Sequence, residues 1–317
     1  MFEGKKYIYE VYRTRSFSKA AENLYISQPS LSMMVKKEEA RIGSPLFDRS
    51  TTPITLTDVG VQYIACIERI NEVEHDFDSY RKDIGELSAG SLAIGGSNLF
   101  VSYILPRLLQ RFHARWPAID FHLIEASTQE LEKHLRDGSV DFIIDNFDFS
   151  DRLYHKYFFQ KEELLLAVPS SFPVVQQLSS QAFTADDIRA DRCRRPEAKP
   201  VSLAAFAEVP FLLLRTGNDT RLRSDAMFRQ AGITPVIQLE LDQQATAYHI
   251  ACSGMGACFT SDTLVKNASA DPGILFFRLD PALAGRNIYF YCSRSKYVTK
   301  VMQEFLKTVQ QDTGAGV

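Results

Sequence analysis

The chain has 317 residues with 36 Lys+Arg against 39 Asp+Glu, a formal net charge of −3, and 45% hydrophobic residues. That is enough for two or three domains with sizeable cores, and no apolar run approaches the roughly 20 residues of a membrane-spanning helix. The start, Met1-Phe2-Glu3-Gly4-Lys5-Lys6, lacks the apolar centre of a signal peptide, so a cytoplasmic protein with no membrane partner is expected. The charge is unevenly spread. Residues 1–60 carry nine Lys/Arg and seven Asp/Glu, whereas the remainder carries 27 and 32. Binding to nucleic acid would therefore rest on local placement and not on bulk charge.

The stretch from Ser16 to Ser32 reads as two short helices joined by a tight turn. Ser16 or Ser18 is placed to cap the first, and Phe17, Ala20, Ala21 and Leu24 share one of its faces. The small alanines let a second helix cross closely. Ser27 is expected to cap that second helix, with Pro29 tolerated in its first turn, where a missing N–H costs nothing. Leu31 and Val35 point inward. Gln28, Ser32 and Lys36, spaced by four, share an outward face suited to DNA: Gln pairs with the adenine edge, Ser with either base pair, and Lys36 and Lys37 reach phosphates. A helical hairpin whose polar face simply meets water is the plain alternative. Gly43 ends the second helix. Two short strands about Leu46–Arg49 and Ile54–Thr57 then form a wing with Ser50-Thr51-Thr52-Pro53 at its tip and Arg49 beside it, placed for a minor groove or phosphate row.

The order and spacing of Ser16-Phe17-Ser18, Ala20-Ala21, Leu24, Ser27-Gln28, Ser32, Glu39, Gly43, Leu46-Phe47, Arg49, Leu56-Thr57 and Gly60 resemble the winged helix-turn-helix of the LysR-type transcriptional regulators. Two departures stand out. Glu38 replaces a usual leucine on the inward face and is expected to snorkel or to pair with Lys5 or Arg41. Arg15 replaces a usual glycine. The DNA-contact set expected from this module is Ser27, Gln28, Pro29, Ser32, Met33, Lys36, Lys37, Arg49 and Thr51.

After the wing, Thr57 caps a helix expected over about Asp58 to Glu86. Tyr63, Ile70, Phe77 and Ile84 fall at one heptad position and Cys66, Val73, Tyr80 and Leu87 at another. A narrow apolar seam needs a partner. It could lie on its own domain, but the hinge Leu87-Ser88-Ala89-Gly90-Ser91 favours another subunit, and the family resemblance implies the same. Tyr63, Ile70, Val73, Phe77 and Tyr80 are the expected dimer contacts.

From Ser91 the chain alternates apolar strands with amphipathic helices, which predicts a mostly parallel, doubly wound α/β arrangement. Strands are expected at Ser91–Gly96, Ile119–Glu125, Val140–Asp145, Leu164–Val168, Phe211–Leu214, Val236–Leu241 and Ala257–Thr260. Helices are expected at Tyr103–Arg115, Gln129–Arg136, Arg221–Ala231 and Gln243–Ser253. Ile274–Arg278, Ile288–Cys292 and a helix Lys296–Thr308 are expected to return to the first lobe.

The resemblance extends over nearly the whole chain and implies three parts. These are a DNA-binding domain (1–57), a linker helix and hinge (58–90), and a two-lobed, periplasmic-binding-protein-like effector domain (91–317). Lobe 1 is expected over about 91–163 and 268–317, and lobe 2 over about 164–267. The segment Val174–Pro200, with Arg189, Arg192, Arg194 and Arg195, is longer than the family pattern and reads as a solvated loop.

No catalytic constellation is evident. His75, His113, His122, His134, His155 and His249 lack metal-ligand spacing, there is no nucleophile elbow or phosphate-binding loop, and Gly254-Met255-Gly256 reads as a helix-to-strand turn. No metal or cofactor is expected. Cys66, Cys193, Cys252, Cys258 and Cys292 are expected as reduced thiols, and the Cys252/Cys258 pair has no adjacent base to activate it for redox sensing. The effector site is expected just beyond strand ends, where helix N-termini favour an anion. Its residues would be Ser97, Asn98, Ser127, Thr128 and Asn146, with Thr216 as the matching second-lobe contact that the family resemblance implies, Arg221 as a fixed positive charge if it turns inward, and a small carboxylate as ligand. Ser127 with Glu130 also reads as a capping box. The expected function is a ligand-responsive regulator binding operator DNA as a dimer or tetramer, with RNA polymerase as a further partner. The alternative is a cytosolic α/β enzyme or small-molecule binding protein with a helical N-terminus that does not bind DNA.

Overall fold

The computed structural model describes residues 2–83 and 90–312, with side chains except at 72, 75, 76, 78–83 and 312. The chain forms two compact units, the first comprising residues 1–81 with the short stretch 136–139. The expected helix end near Glu86, the seam positions Ile84 and Leu87, the hinge residues 87–89 and the side chain of Tyr80 lie outside the described residues.

The first unit begins with α1 (Lys5–Thr14), α2 (Phe17–Asn23) and α3 (Gln28–Ile42). Ser16 accepts a hydrogen bond from the Lys19 N–H and Ser27 one from the Ser30 N–H, so each hydroxyl relieves an orphan donor at a helix start. Gly43 ends α3 at φ +81°, a left-handed cap that glycine adopts without a Cβ penalty. Leu31 and Val35 of α3 are completely buried with Ile8, Val11, Phe17, Ala20 and Ala21. Each buried Leu, Ile or Val there contributes about 1.5–3 kcal/mol by leaving water. Strands β1 (Phe47–Asp48) and β2 (Thr55–Leu56) pair antiparallel to form the wing.

Helix α4 (Asp58–Asp83) starts at Thr57, whose hydroxyl accepts from the Gly60 N–H at 3.0 Å and donates to the Pro45 carbonyl at 2.8 Å. Gly60 is required by contact: a Cβ there would lie 2.0 Å from the Leu46 carbonyl oxygen. Tyr63, Ile64 and Ile67 of α4 join the first unit's core. The expectation that Tyr63 belongs to the dimer seam is therefore corrected. Its ring stacks on Phe2 at 5.0 Å and its hydroxyl donates to Glu38 at 2.7 Å. Glu38 accepts from the Phe2 N–H as well and pairs with Arg41, whereas Lys5 pairs with Glu74. Burial alone would raise the Glu38 pKa. The Tyr63, Phe2, Arg41 and Gly4 contacts outweigh it and hold the carboxyl below its ordinary value.

The second unit runs β3 (Gly90–Gly96), α5 (Asn98–Tyr103), α6 (Leu105–Arg115), β4 (Ile119–Glu125), α7 (Thr128–Arg136), β5 (Phe142–Asp145) and β6 (Tyr154–Pro169). It continues with α8 (Pro173–Gln177), β7 (Ala182–Phe183), α9 (Ala185–Arg189), β8 (Pro210–Leu214), α10 (Asp219–Ala231), β9 (Val236–Leu241) and α11 (Gln244–Cys252). It ends with β10 (Ala257–Ser261), α12 (Asp262–Asn267), β11 (Ile274–Arg278), α13 (Pro281–Ala284), β12 (Gly285–Ser293) and α14 (Lys300–Asp312). The helix expected over Tyr103–Arg115 is α6, started by Pro106 in its first turn, and a short α5 not expected from the sequence precedes it.

The strand order is β4-β3-β5-β12-β6-β10-β8-β9, with β11 on β6 and β7 on β11. β3 pairs parallel with β4 and β5, and β8 with β9 and β10. Between these parallel halves stand β12 and the 16-residue β6, antiparallel to their neighbours. Leu164–Val168, expected as a separate strand, is the distal part of β6, which crosses from one lobe into the other. Ile274–Arg278 does not return to the first lobe as expected. It pairs with the distal part of β6, and the return is made by β12.

The segment Val174–Pro200 is not a solvated loop. It supplies β7, α9 and a turn that buries Ile188 and Cys193, and its Arg189 donates to the Ala268 carbonyl at 2.8 Å.

Candidate functional site

In the first unit the outward face of α3 is as expected. Gln28, Pro29, Met33, Lys36 and Lys37 are exposed and Ser32 is half-buried. Lys36 and Lys37 make no ion pair among the described residues, so both ammonium groups are available to a polyanion. Arg49 is held beside the wing: it pairs with Glu39 at 2.9 Å and its guanidinium lies 4.9 Å from the Phe17 ring centre. The same Glu39 carboxylate accepts from the Leu46 N–H at 2.9 Å, so one acid fixes both the wing's start and its cation. Thr51 hydrogen-bonds Thr55 at 3.0 Å across the wing. Sequence reasoning missed Tyr25. It is 96% exposed beside Ser27, in the left-handed region at φ +54°, and its place in the tight turn was the available signal.

In the second unit β3, β4, β8 and β9 end side by side in two parallel groups. The residues that follow those ends form a crevice. Ser97, Ser127, Thr128, Thr216 and Gln243 line a cavity of about 190 Å³, together with Gln129, Arg215, Asn218 and Asp242. A deeper recess of about 40 Å³ adds Asp145, Asn146, Asp219, Thr220 and Arg286. The N-termini of α5, α7, α10 and α11 meet here. Neither Ser97 nor Gln243 caps its helix with a side-chain hydrogen bond. Donors are therefore available to a ligand, and the positive ends of the helix dipoles favour negative charge.

Five expected contacts, Ser97, Ser127, Thr128, Asn146 and Thr216, line these cavities. Ser127 is also engaged in the capping box: its hydroxyl donates to Glu130 at 2.7 Å, and the Glu130 N–H reaches back at 3.4 Å. The Thr128 hydroxyl donates to Asp145 at 3.0 Å, and the Asn146 amide to Glu162 at 3.1 Å. Two expectations are corrected. Asn98 lines neither cavity and donates to Glu125 at 3.2 Å. Arg221 turns away, to Asp225 at 2.9 Å and Glu240 at 2.7 Å, because those carboxylates meet the same face of α10. The cations at the crevice are Arg215, which pairs with Asp242 at 3.3 Å, and Arg286 beneath it. Arg286 is bound by Glu162 at 2.6 Å and Asp219 at 2.8 Å. It sits on β12, 67 residues from its partner Asp219, so no local spacing signals it.

Asp145 is the unusual group. Burial outweighs its hydrogen bonds from the Phe147 N–H (2.8 Å) and Thr128, and pushes its pKa up to about 6. The cysteines show the opposite of activation: burial pushes Cys252 up to about 11 and raises Cys258 further. Both thiols are free, and nothing beside them lowers a thiol pKa enough to make a thiolate at neutral pH.

Residues 4–61 match the family described as "Bacterial regulatory helix-turn-helix protein, lysR family", and residues 85–314 the "LysR substrate binding domain". The HTH-type transcriptional regulator YcgK of Bacillus subtilis is 29% identical over 305 residues, covering 95% of this chain and 91% of that one. The fold is similar to that of full-length CbnR complexed with its target DNA, with a TM-score of 0.60, 20% identity, and 98% and 99% of the two chains covered. It is also similar to the Synechocystis PCC6803 CcmR regulatory domain in complex with 2-PG, with a TM-score of 0.59, 17% identity, and 71% and 98% covered. No described helix is long and apolar enough to cross a membrane. With a winged helix-turn-helix, an interlobe crevice and both family matches in place, the chain belongs to the LysR-type transcriptional regulators.

Proposed function

We propose that this regulator acts in the cytoplasm by binding and not by catalysis, coupling a small carboxylate in the crevice of its second unit to operator DNA held by its first. The observation that carries the reading is the convergence of two helix starts without side-chain caps, α5 and α11, and of neutral donors on a cavity of about 190 Å³, in a chain whose other unit exposes a DNA-suited face. Gln28 and Ser32 read bases; Lys36, Lys37 and Arg49 hold phosphate, Arg49 by exchanging Glu39 for the backbone. Pro29, Met33 and Thr51 border the same surface. A singly charged acid suits the crevice because its built-in cations already have carboxylate partners, which leaves hydroxyl, amide and backbone donors as the free recognition groups. Dimers or tetramers form through the apolar face of α4, and RNA polymerase is the partner through which promoter activity changes. The neighbours' DNA and 2-PG complexes support this reading by analogy of fold.

The test is a footprint of the full-length protein on DNA upstream of neighbouring genes, repeated with a panel of cytosolic carboxylates. A protected, partly palindromic site whose footprint changes with one acid is expected. Absence of any protected site would overturn the DNA-binding reading. A protected site whose footprint responds only to non-carboxylate ligands would overturn the ligand class.

A further inference from the structure

Glu162 and Glu163, adjacent on β6, turn to different partners. Glu162 holds Arg286 under the effector crevice at 2.6 Å, whereas Glu163 holds Arg278 at 3.0 Å and faces Arg194 at 3.9 Å. Arg194 lines a separate cavity of about 280 Å³ that shares no residue with the crevice. Four cations line it: Arg107 from α6, Lys161 from β6, Arg194 from the turn after α9, and Lys266 from α12. The one carboxylate among the lining residues is Asp262, which is 1% exposed and already bonded to Arg194 and Lys266.

The charges around this cavity do not cancel. Arg194, Lys266 and Arg278 are matched by Asp262, Asp191 and Glu163. Lys161 is exposed and makes no ion pair among the described residues, so its charge is surplus to those pairs. Thr263 and Asn267 supply neutral polar groups on the same wall. Guanidinium and ammonium groups converging on one hollow are the donor set that oxyanions of high charge select.

The geometry points to a second ligand site here, taking a phosphate dianion, free or as a small phosphate ester, held between Arg107, Lys161, Arg194 and Lys266. Arg107 belongs to the first lobe, Arg194 and Lys266 to the second, and Lys161 to the strand that crosses between them. A bound dianion thus ties the lobes together beside β6, and it favours whichever interlobe angle brings the four cations closest. The long Val174–Pro200 segment acquires a role, because it delivers Arg194.

Titration calorimetry of the full-length protein with inorganic phosphate and with glycerol phosphate tests the site, using chloride to match ionic strength. Phosphate is expected to bind above the chloride control. Lys161→Met should weaken it about tenfold, as loss of one charge-assisted contact predicts, without altering the melting temperature in chloride. Lys161→Arg should retain binding, and Ser97→Ala, in the crevice, should change it less than twofold. Tighter binding of the ester identifies a phosphorylated metabolite as the source, and tighter binding of inorganic phosphate identifies free phosphate. The site is refuted by binding no stronger than chloride, by equal affinity in Lys161→Met, or by loss in Ser97→Ala, which would place the anion in the effector crevice.

Discussion

At the scale of single residues, three positions show how local chemistry sets behaviour. Gln28 is exposed at the first position of α3, where a side chain meets base edges. Gln28→Ala should cost on the order of 1–3 kcal/mol at its cognate base pair and relax preference there. Unchanged ranking of operator variants in a gel-shift series would remove its base-reading role. Arg15 sits where α1 ends in the left-handed region, at φ +50° and ψ +27°. That explains why glycine is the family's usual residue, since a Cβ is strained there. Arg15→Gly should stabilise the first unit by about 0.5–1 kcal/mol in urea unfolding, because strain relief exceeds the added chain entropy. Asp145 gives a pH signature. Its pKa is up to about 6 in the folded protein, so the folded state binds its proton more tightly than the unfolded chain, where the value is about 4. Its contribution to stability is whole below about pH 4 and is lost as the pH rises to about 6, a change on the order of 3 kcal/mol. Asp145→Asn removes that loss. Unfolding midpoints should rise on substitution at pH 8 and stay nearly unchanged at pH 4, and equal effects at both pH values would contradict the assignment.

At the scale of elements, α4 has two functions along its length. Its first turns are committed inward through Tyr63, Ile64 and Ile67. On another face Cys66, Ile70, Val73 and Phe77, at spacings of four, three and four, form an apolar stripe, with Val73 67% and Phe77 66% exposed. Exposed side chains of that size at heptad spacing call for a partner helix. The double change Ile70→Glu and Phe77→Glu should lower the oligomeric mass in sedimentation and abolish tight operator binding together, because an unpaired charge would be buried in the seam. Retention of the parental mass would eliminate α4 as the contact.

At the scale of the whole molecule, effector response and operator binding should separate by mutation. Ser97 is the cleanest probe: it lines both the cavity and its recess, and its hydroxyl makes no hydrogen bond among the described residues. Thr128 is less clean, since Thr128→Val also strips a donor from Asp145. Ser97→Ala should shift the effector dose response to several-fold higher concentration while operator affinity without effector stays the same. An unaltered dose response would remove Ser97 from the site.

The sequence alone determined what depends on near neighbours. Caps at Ser16 and Ser27, the inward face of Leu31 and Val35, the wing and the strand-helix alternation are all written in spacings of one to four residues, where backbone hydrogen bonding and periodicity act. It also brought Ser97, Thr128, Asn146 and Thr216 to strand ends. Tertiary structure decided what depends on distant partners. Tyr63 fits the seam's period, but Phe2 and Glu38 claim it. Arg221 lies at the right helix start, but Glu240, which the fold brings in on β9, joins its helix neighbour Asp225 in turning it away. Arg286 reaches the floor of the crevice only because β12 crosses antiparallel to β6. A buried charge settles beside the carboxylates that the fold brings to it, and those lie far away in the chain.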